Sequence, residues 1–235
     1  MNAVLVNSYN VADQARMAAA RNYIAWLARV VKPEIGARVI EIGCGLGNFT
    51  RQLLDREAVL GVETDTDCLE TWRARYPGLE SIAADAADLP IEKLQRFRAD
   101  SCVCLNVLEH IEDDRAALAG MAAVLPPGGK IVLIVPAFAM LYGPIDRHLG
   151  HHRRYGKTAL RRVAEQAGLR VSKLRYMNCA GFFGWWINAR LLKLEAQSKA
   201  QIRFADRFIF PIASRLESVV PPPFGQSLFA VLERP

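Results

Sequence analysis

Short apolar runs recur along the chain, each ended by Gly, Asp or Pro and followed by apolar positions at helical spacing. RVIEIG (38–43), AVLGVE (58–63), SIAA (81–84), SCVCLN (101–106) and KIVLIV (130–135) are such runs, β-branched in part. Five strand–helix units in series predict an α/β fold with a parallel sheet and helices on both faces. Apolar residues at helical spacing in 12–31 (Met17, Ala20, Tyr23, Ile24, Leu27, Val31) predict a leading helix. Helices are also expected at 47–56, 66–75, 112–124 and 157–167, the last closed by Gly168. Beyond it, LRVSKLRYM reads as a strand, 182–195 and 201–218 as helices, and SLFAVLER as a final strand after the PPPFG turn. The expectation is therefore a Rossmann-like, seven-stranded, mostly parallel sheet with an antiparallel last strand. A single domain is expected over 1–235, with a leading helical cap at 1–36 and insertions at 136–156 and 179–222 on the side where substrate binds.

Composition adds limits rather than direction. At 51% hydrophobic and 235 residues the chain can bury one substantial core. A net charge of +6 admits anionic partners, but the basic residues are spread along the whole length. The N-terminus lacks the pattern of a signal peptide and no apolar run is long enough to span a bilayer, so the expected location is cytoplasmic. The five cysteines lack CxxC spacing and are expected as reduced, buried thiols, with Cys102 and Cys104 on one strand face.

In open parallel sheets, ligands bind beyond the carboxyl ends of the strands. EIGCGLG follows the first strand there, and its glycines would let the backbone turn tightly and approach a ligand beside helix N–H groups. With Asn48 where a dinucleotide fingerprint wants a third glycine, the spacing disfavours an NAD-linked oxidoreductase.

These residues resemble the class I S-adenosylmethionine (SAM)-dependent methyltransferases, whose loop reads acidic-x-G-x-G-x-G; the matching positions are Glu41, Gly43, Gly45 and Gly47. The resemblance implies that Glu63 grips the ribose diol, that Asp85 accepts from the adenine amino group with Ala86 against the ring, and that Asn106 opens the block NVLEH after the fourth strand. Glu41 is expected near the SAM amino group. Asp65 could replace Glu63, though strand alternation and spacing favour Glu63; Asp88 could stand in for Asp85, and the loser of that second pair would cap a helix. The implied cofactor is SAM and the implied product S-adenosylhomocysteine.

Methyl transfer from a sulfonium is an in-line displacement, so the protein must align a nucleophile and remove its proton. Tyr23, Tyr142, Asp146, His148, Arg153 and Arg154 are candidates for substrate binding, while His110, His151 and Tyr155 are candidates for catalysis. Arg153 or Arg154 would hold an anionic part of the acceptor. The Glu109–His110 pair also resembles a motif of metal-dependent O-methyltransferases of ubiquinone synthesis and of plant small-RNA methylation. Asn106 and Gly150 replace two acids of that pattern, leaving Glu109, His110 and His148 or His151 as ligands for a divalent metal, which is not favoured.

Aromatics at 182–186 followed by Arg190, Lys193, Arg203, Arg207 and Arg215 fit either core packing or a peripheral contact with the inner membrane surface through 179–215. The expected acceptor is small or amphiphilic, lipid-, quinone- or glycolipid-like, methylated on O or C. Nucleic acid is disfavoured because the aromatics fall in an apolar helix rather than among exposed basic strands. Competing readings are a non-methyl use of SAM and a non-catalytic SAM-binding subunit; oligomeric state is open.

Overall fold

The structure, a computed structural model, describes residues 11, 12 and 14–235. The expected leading cap therefore lies partly outside the described residues. Its helical pattern breaks at Ala20, and α1 runs Arg21–Val31. The break has a distant cause: the Asp206 carboxylate accepts the N–H groups of Asn22 and Tyr23, satisfying donors that a fresh helix start leaves free.

The strands are β1 (Arg38–Ile42), β2 (Ala58–Glu63), β3 (Glu80–Ala83), β4 (Ser101–Leu105), β5 (Lys130–Pro136), β6 (Arg170–Met177) and β7 (Ser227–Glu233). They form one seven-stranded sheet in the order β3-β2-β1-β4-β5-β7-β6. β7 is inserted antiparallel to both β5 and β6, while the pairs from β3 through β5 are parallel. The order reverses between β1 and β4, and the crevice beyond their carboxyl ends is the switch point where such sheets bind ligands.

Both sheet faces are buried, as apolar runs without alternation require. One face packs Ile40, Cys102, Cys104 and Leu133 with residues of α3 (Ile91–Gln95), α4 (Asp114–Val124) and α6 (Lys157–Gln166). The opposite face packs Val39, Val103, Val132 and Phe229 with Trp26, Leu27 and Val31 of α1. All five cysteines are free thiols, and Cys102 and Cys104 lie together on the first of these faces.

Three expected helices differ. Residues 47–56 form turns with a short 3-10 segment, Thr50–Gln52, because Gly47 and Asn48 disfavour a helical start and the β-branched Thr50 gives its hydroxyl to Glu41. The helix expected at 182–195 begins earlier, as α7 (Cys179–Trp186), because Asn178 caps Gly181 and Glu217 accepts the N–H groups of Asn178 and Cys179. It ends in a π-wound turn, Ile187–Leu191. The helix expected at 201–218 is three pieces: α8 (Lys199–Phe204), a π turn (Ala205–Ile209) and α9 (Phe210–Val219). Helix α2 (Thr66–Arg75) falls where expected.

The segment after β5 is a closed loop. Phe138 N–H donates to Tyr155 O and Tyr155 N–H to Pro136 O, so the chain leaves and returns at one point. Within it a short helix, α5 (Pro144–His148), lies inside the insertion expected at 136–156.

Candidate active site

The glycine loop sits at the end of β1. Gly43 (φ 71°) and Gly45 (φ 52°) have left-handed backbones, and an added Cβ would overlap Val107 at the first and the Gln14 amide at the second. Glu63, at the end of β2, accepts from Gly45 N–H at 2.8 Å through one oxygen, and from Thr64 and Asp65 N–H at 2.9 and 3.0 Å through the other. Asp65 instead caps α2, accepting from Asp67 and Cys68 N–H. Glu41 faces inward: its carboxyl accepts the Thr50 hydroxyl at 2.5 Å, and that hydroxyl accepts from Trp72 Nε1 at 2.8 Å. Burial pushes the Glu41 carboxyl up to about 8, with the Thr50 bond opposing and the charge of Glu63 adding.

Asp85 is exposed after β3 and accepts from Ala87 N–H, with Ala86 buried beside it. Asn106 closes β4 with a left-handed backbone (φ 54°) and donates its N–H to Ile134 O. Around the switch point, then, stand a loop that only glycine can form, a carboxylate after β2 and an exposed carboxylate beside a small apolar residue after β3. Two acceptors and an apolar contact so placed fit the hydroxyls of a ribose diol and the amino group and face of an adenine ring. Gln14 gives no signal in its local sequence, yet it accepts from Leu46 N–H at 2.8 Å and covers the loop.

A second cluster lies beyond β4 and β5. His151 Nδ1 and Asp146 Oδ1 are 2.9 Å apart, and His151 Nε2 lies 4.0 Å from Glu109 Oε1. The His110 and His151 rings meet edge-on at 4.6 Å. Glu109 is fully buried and neither of its oxygens has a hydrogen-bond partner. Burial pushes its carboxyl up to about 8, outweighing the pull of its own backbone N–H and of Arg154. Burial, with the charges of His151 and His152, pushes His110 down to about 3. Ligand atoms of Glu109, His110 and His151 all lie within 4.8 Å of one another. A buried, unpartnered carboxylate beside two imidazoles fits a divalent metal such as zinc, and the Asp146 bond to His151 is the kind that orients a metal-bound histidine.

Other expected residues are placed differently. Asp146, fully buried, binds Gly143 N–H and Arg154 Nε as well as His151. Burial would raise its carboxyl, but the His151 bond and the Arg154 charge together hold it below the usual range. Arg154 is buried, reaches Ala137 O and lies over the Trp185 ring at 4.5 Å, so it is committed inside the protein rather than offered to an acceptor. Arg153 is tied to Asp114 at 2.8 Å and to Glu112 O. Tyr155, expected to be catalytic, lies in the core with its hydroxyl donated to Asp114 at 2.8 Å. The hydroxyl of Tyr142 donates to His151 O, which fixes the loop beside the dyad. Tyr23 packs on Phe210, and burial pushes its phenol up to about 12 against a hydrogen bond with Ser227. His148 ends α5.

A doubly covered sheet with a glycine loop and an acid at the end of β2 defines a class of nucleotide-type ligand binders. A methyltransferase-domain family matches residues 14–174, and the chain belongs to that family. It is 31% identical over 152 residues to the ubiquinone biosynthesis O-methyltransferase of Idiomarina loihiensis, covering 57% of this chain and 62% of that one. With the enzyme of that name from Bordetella avium it shares 30% over 113 residues, 46% of each chain. In neither case does the match reach two thirds of the relative's length. Among solved structures, a SAM-dependent methyltransferase from Thermotoga maritima, described as a possible histamine N-methyltransferase, superposes with a TM-score of 0.66 at 15% identity, covering 98% of both chains. The fold is that of the class I SAM-dependent methyltransferases.

Proposed function

We propose that this protein transfers a methyl group from SAM to a hydroxyl of a small amphiphilic acceptor, with His151 as general base. The observation that carries the reading is the Asp146–His151 pair, 2.9 Å apart, standing beside Glu109 and His110 at the carboxyl ends of β4 and β5. Asp146 accepts the Nδ1–H hydrogen bond of His151 and thereby fixes the tautomer with a free Nε2 lone pair. Bound SAM supplies the methyl group, its sulfonium sulfur leaving as the thioether of S-adenosylhomocysteine. His151 Nε2 accepts the acceptor hydroxyl's proton as the new O–C bond forms, and later releases it to water. Glu63 holds the ribose, and Gly43 and Gly45 admit the cofactor chain to the backbone. The neutral His110 suits an acceptor with little charge beside its reacting hydroxyl. The names of the ubiquinone O-methyltransferase relatives support an aromatic or isoprenoid acceptor.

The test is incubation with methyl-labelled SAM and bacterial lipid and metabolite extracts. Label in a product methylated on oxygen is expected; label on carbon or nitrogen removes the O-acceptor assignment. SAM binding with no labelled product in any extract would favour a non-catalytic subunit, and SAM consumption without methyl transfer a different chemistry on the same fold.

A second reading rests on the unpartnered Glu109 oxygens. Glu109, His110 and His151 would hold a divalent metal that lowers the acceptor hydroxyl's pKa. On this reading added Zn²⁺ or Mg²⁺ raises the melting temperature of the wild type and not of Glu109→Gln; equal curves with and without metal remove it.

A further inference from the structure

The C-terminal helical segment turns an unusual amount of apolar surface outward. Phe204, Phe208, Ile212, Leu216 and Val220 follow one another four residues apart, and each is more than half exposed, at 59%, 51%, 60%, 66% and 68%. Phe183, Ile187 and Leu191 make a second row with the same spacing, 55%, 41% and 63% exposed. In a regular α-helix, positions four apart drift around the axis by about 40°. Both rows run through a π-wound turn, Ile187–Leu191 and Ala205–Ile209, whose wider i→i+5 winding offsets that drift. The helical apolar positions of each row are thereby kept outward, and Val220 follows in extended backbone just past the end of α9.

Charge on the same segment is one-sided. Arg190, Lys193, Lys199, Arg203, Arg207 and Arg215 are all exposed. Asp206 and Glu217 are buried and spent on the backbone N–H groups that start α1 and α7. Glu195 is left as the one exposed carboxylate of residues 179–222. Arg207 also lies over the Phe208 ring at 5.4 Å, so cation and ring meet the same surface together.

We propose that this face lies on an anionic lipid bilayer, the apolar rows entering the boundary between headgroups and acyl chains and the cations taking headgroup phosphates. Large exposed aromatics beside a basic rim are what an interfacial helix needs. No helix among the described residues is long and apolar enough to cross a membrane, so the contact is peripheral. A second copy of this chain is the poorer occupant, because a two-fold contact would bring like-charged rims together. The inference stands apart from the methyl-transfer reading, since it uses none of the residues around His151 or Glu63.

The test is flotation of the full chain with vesicles of phosphatidylcholine alone and of phosphatidylcholine with phosphatidylglycerol. The protein floats with the anionic vesicles and partitions about tenfold less, or weaker still, onto the neutral ones. Phe204→Glu/Phe208→Glu lowers partitioning onto anionic vesicles by more than about tenfold with no loss of thermal stability, because both rings are exposed. Arg203→Ala/Arg207→Ala/Arg215→Ala lowers it as well and removes most of its salt dependence. Failure to float with anionic vesicles overturns the proposal, as does undiminished flotation of the phenylalanine double variant. A wild type that light scattering finds dimeric, and that the same double variant renders monomeric, assigns the face to a second copy instead.

Discussion

Two buried glutamates, one after β2 and one after β4, show how differently the two halves of the crevice are built. Glu63 accepts three backbone N–H groups, so its charge is met by donors that the turn supplies. Glu109 is more deeply buried and has no hydrogen-bond partner on either oxygen, and burial pushes it up to about 8. The first arrangement is finished: its three backbone bonds tie the glycine loop to the turn after β2. The second is incomplete by the ordinary accounting of buried polar atoms, which leave partners unfilled mainly where chemistry or a bound species requires it. The β1–β2 side thus carries the glycine loop on a satisfied frame, and the β4–β5 side holds one buried carboxylate short of partners beside two imidazoles.

The strongest way to break this contrast is at His151. His151→Ala is expected to lower kcat by ~10²–10⁴-fold, the usual scale for a general base, while calorimetry finds SAM affinity unchanged. A variant with full turnover on a verified acceptor would make the β4–β5 cluster structural.

Glu41 tests the other half through pH. Its carboxyl is raised from an ordinary 4.5 to about 8 in the folded protein. Between those values the unfolded chain has released the proton and the folded chain keeps it, so this group's contribution to stability is full below pH 4.5 and is lost as pH rises toward 8. Glu41→Gln keeps an acceptor for Thr50 and removes that loss. Urea titrations are expected to find the variant ~2–4 kcal/mol more stable than wild type near pH 8, with the difference fading toward pH 5. The same difference at both pH values would mean that Glu41 is not held protonated.

Glu63→Ala should weaken SAM binding by more than about tenfold, since it removes a charged acceptor for two hydroxyls and releases the Gly45 N–H. Unchanged affinity would show that another acid serves the ribose.

The same division explains what could be read from the residues in order. The βα units and the place of β7 are legible because apolar runs, periodicity and terminating glycines act over a few residues. The loop from Glu41 to Gly47 is legible for the same reason. Residues 47–56 are not, because their winding depends on a bond from Thr50 to Glu41 and on Trp72, which lies 22 residues further on. The break at Ala20 is set by Asp206, 184 residues from Asn22. On the β4–β5 side, Asp146, Arg153 and Arg154 read as polar contacts for an acceptor. Folding instead pairs Asp146 with Arg154 and Arg153 with Asp114. Spacing alone does not reveal which charges neutralise one another. Nor could adjacency show that Glu109 lacks a partner while His110 beside it is held neutral.

Tyr155 gives the smallest effect and the finest boundary. Its position in GHHRRYG suggests catalysis, whereas its hydroxyl is donated to Asp114 and its backbone stitches the loop to β5. Tyr155→Phe removes one hydrogen bond of a carboxylate that keeps Arg153 at 2.8 Å. The expected cost is therefore about 0.5–1.5 kcal/mol of stability, read from chemical unfolding, with kcat and KM unchanged. A fall in kcat of more than about tenfold at unaltered stability would bring Tyr155 back among the reacting groups. It would also mean that the unfinished half of the crevice extends inward past Glu109, to the Asp114 side of the loop. Normal turnover confines it to Glu109, His110 and the Asp146–His151 pair, with Tyr155 and Arg153 belonging to the frame that holds the loop against β5.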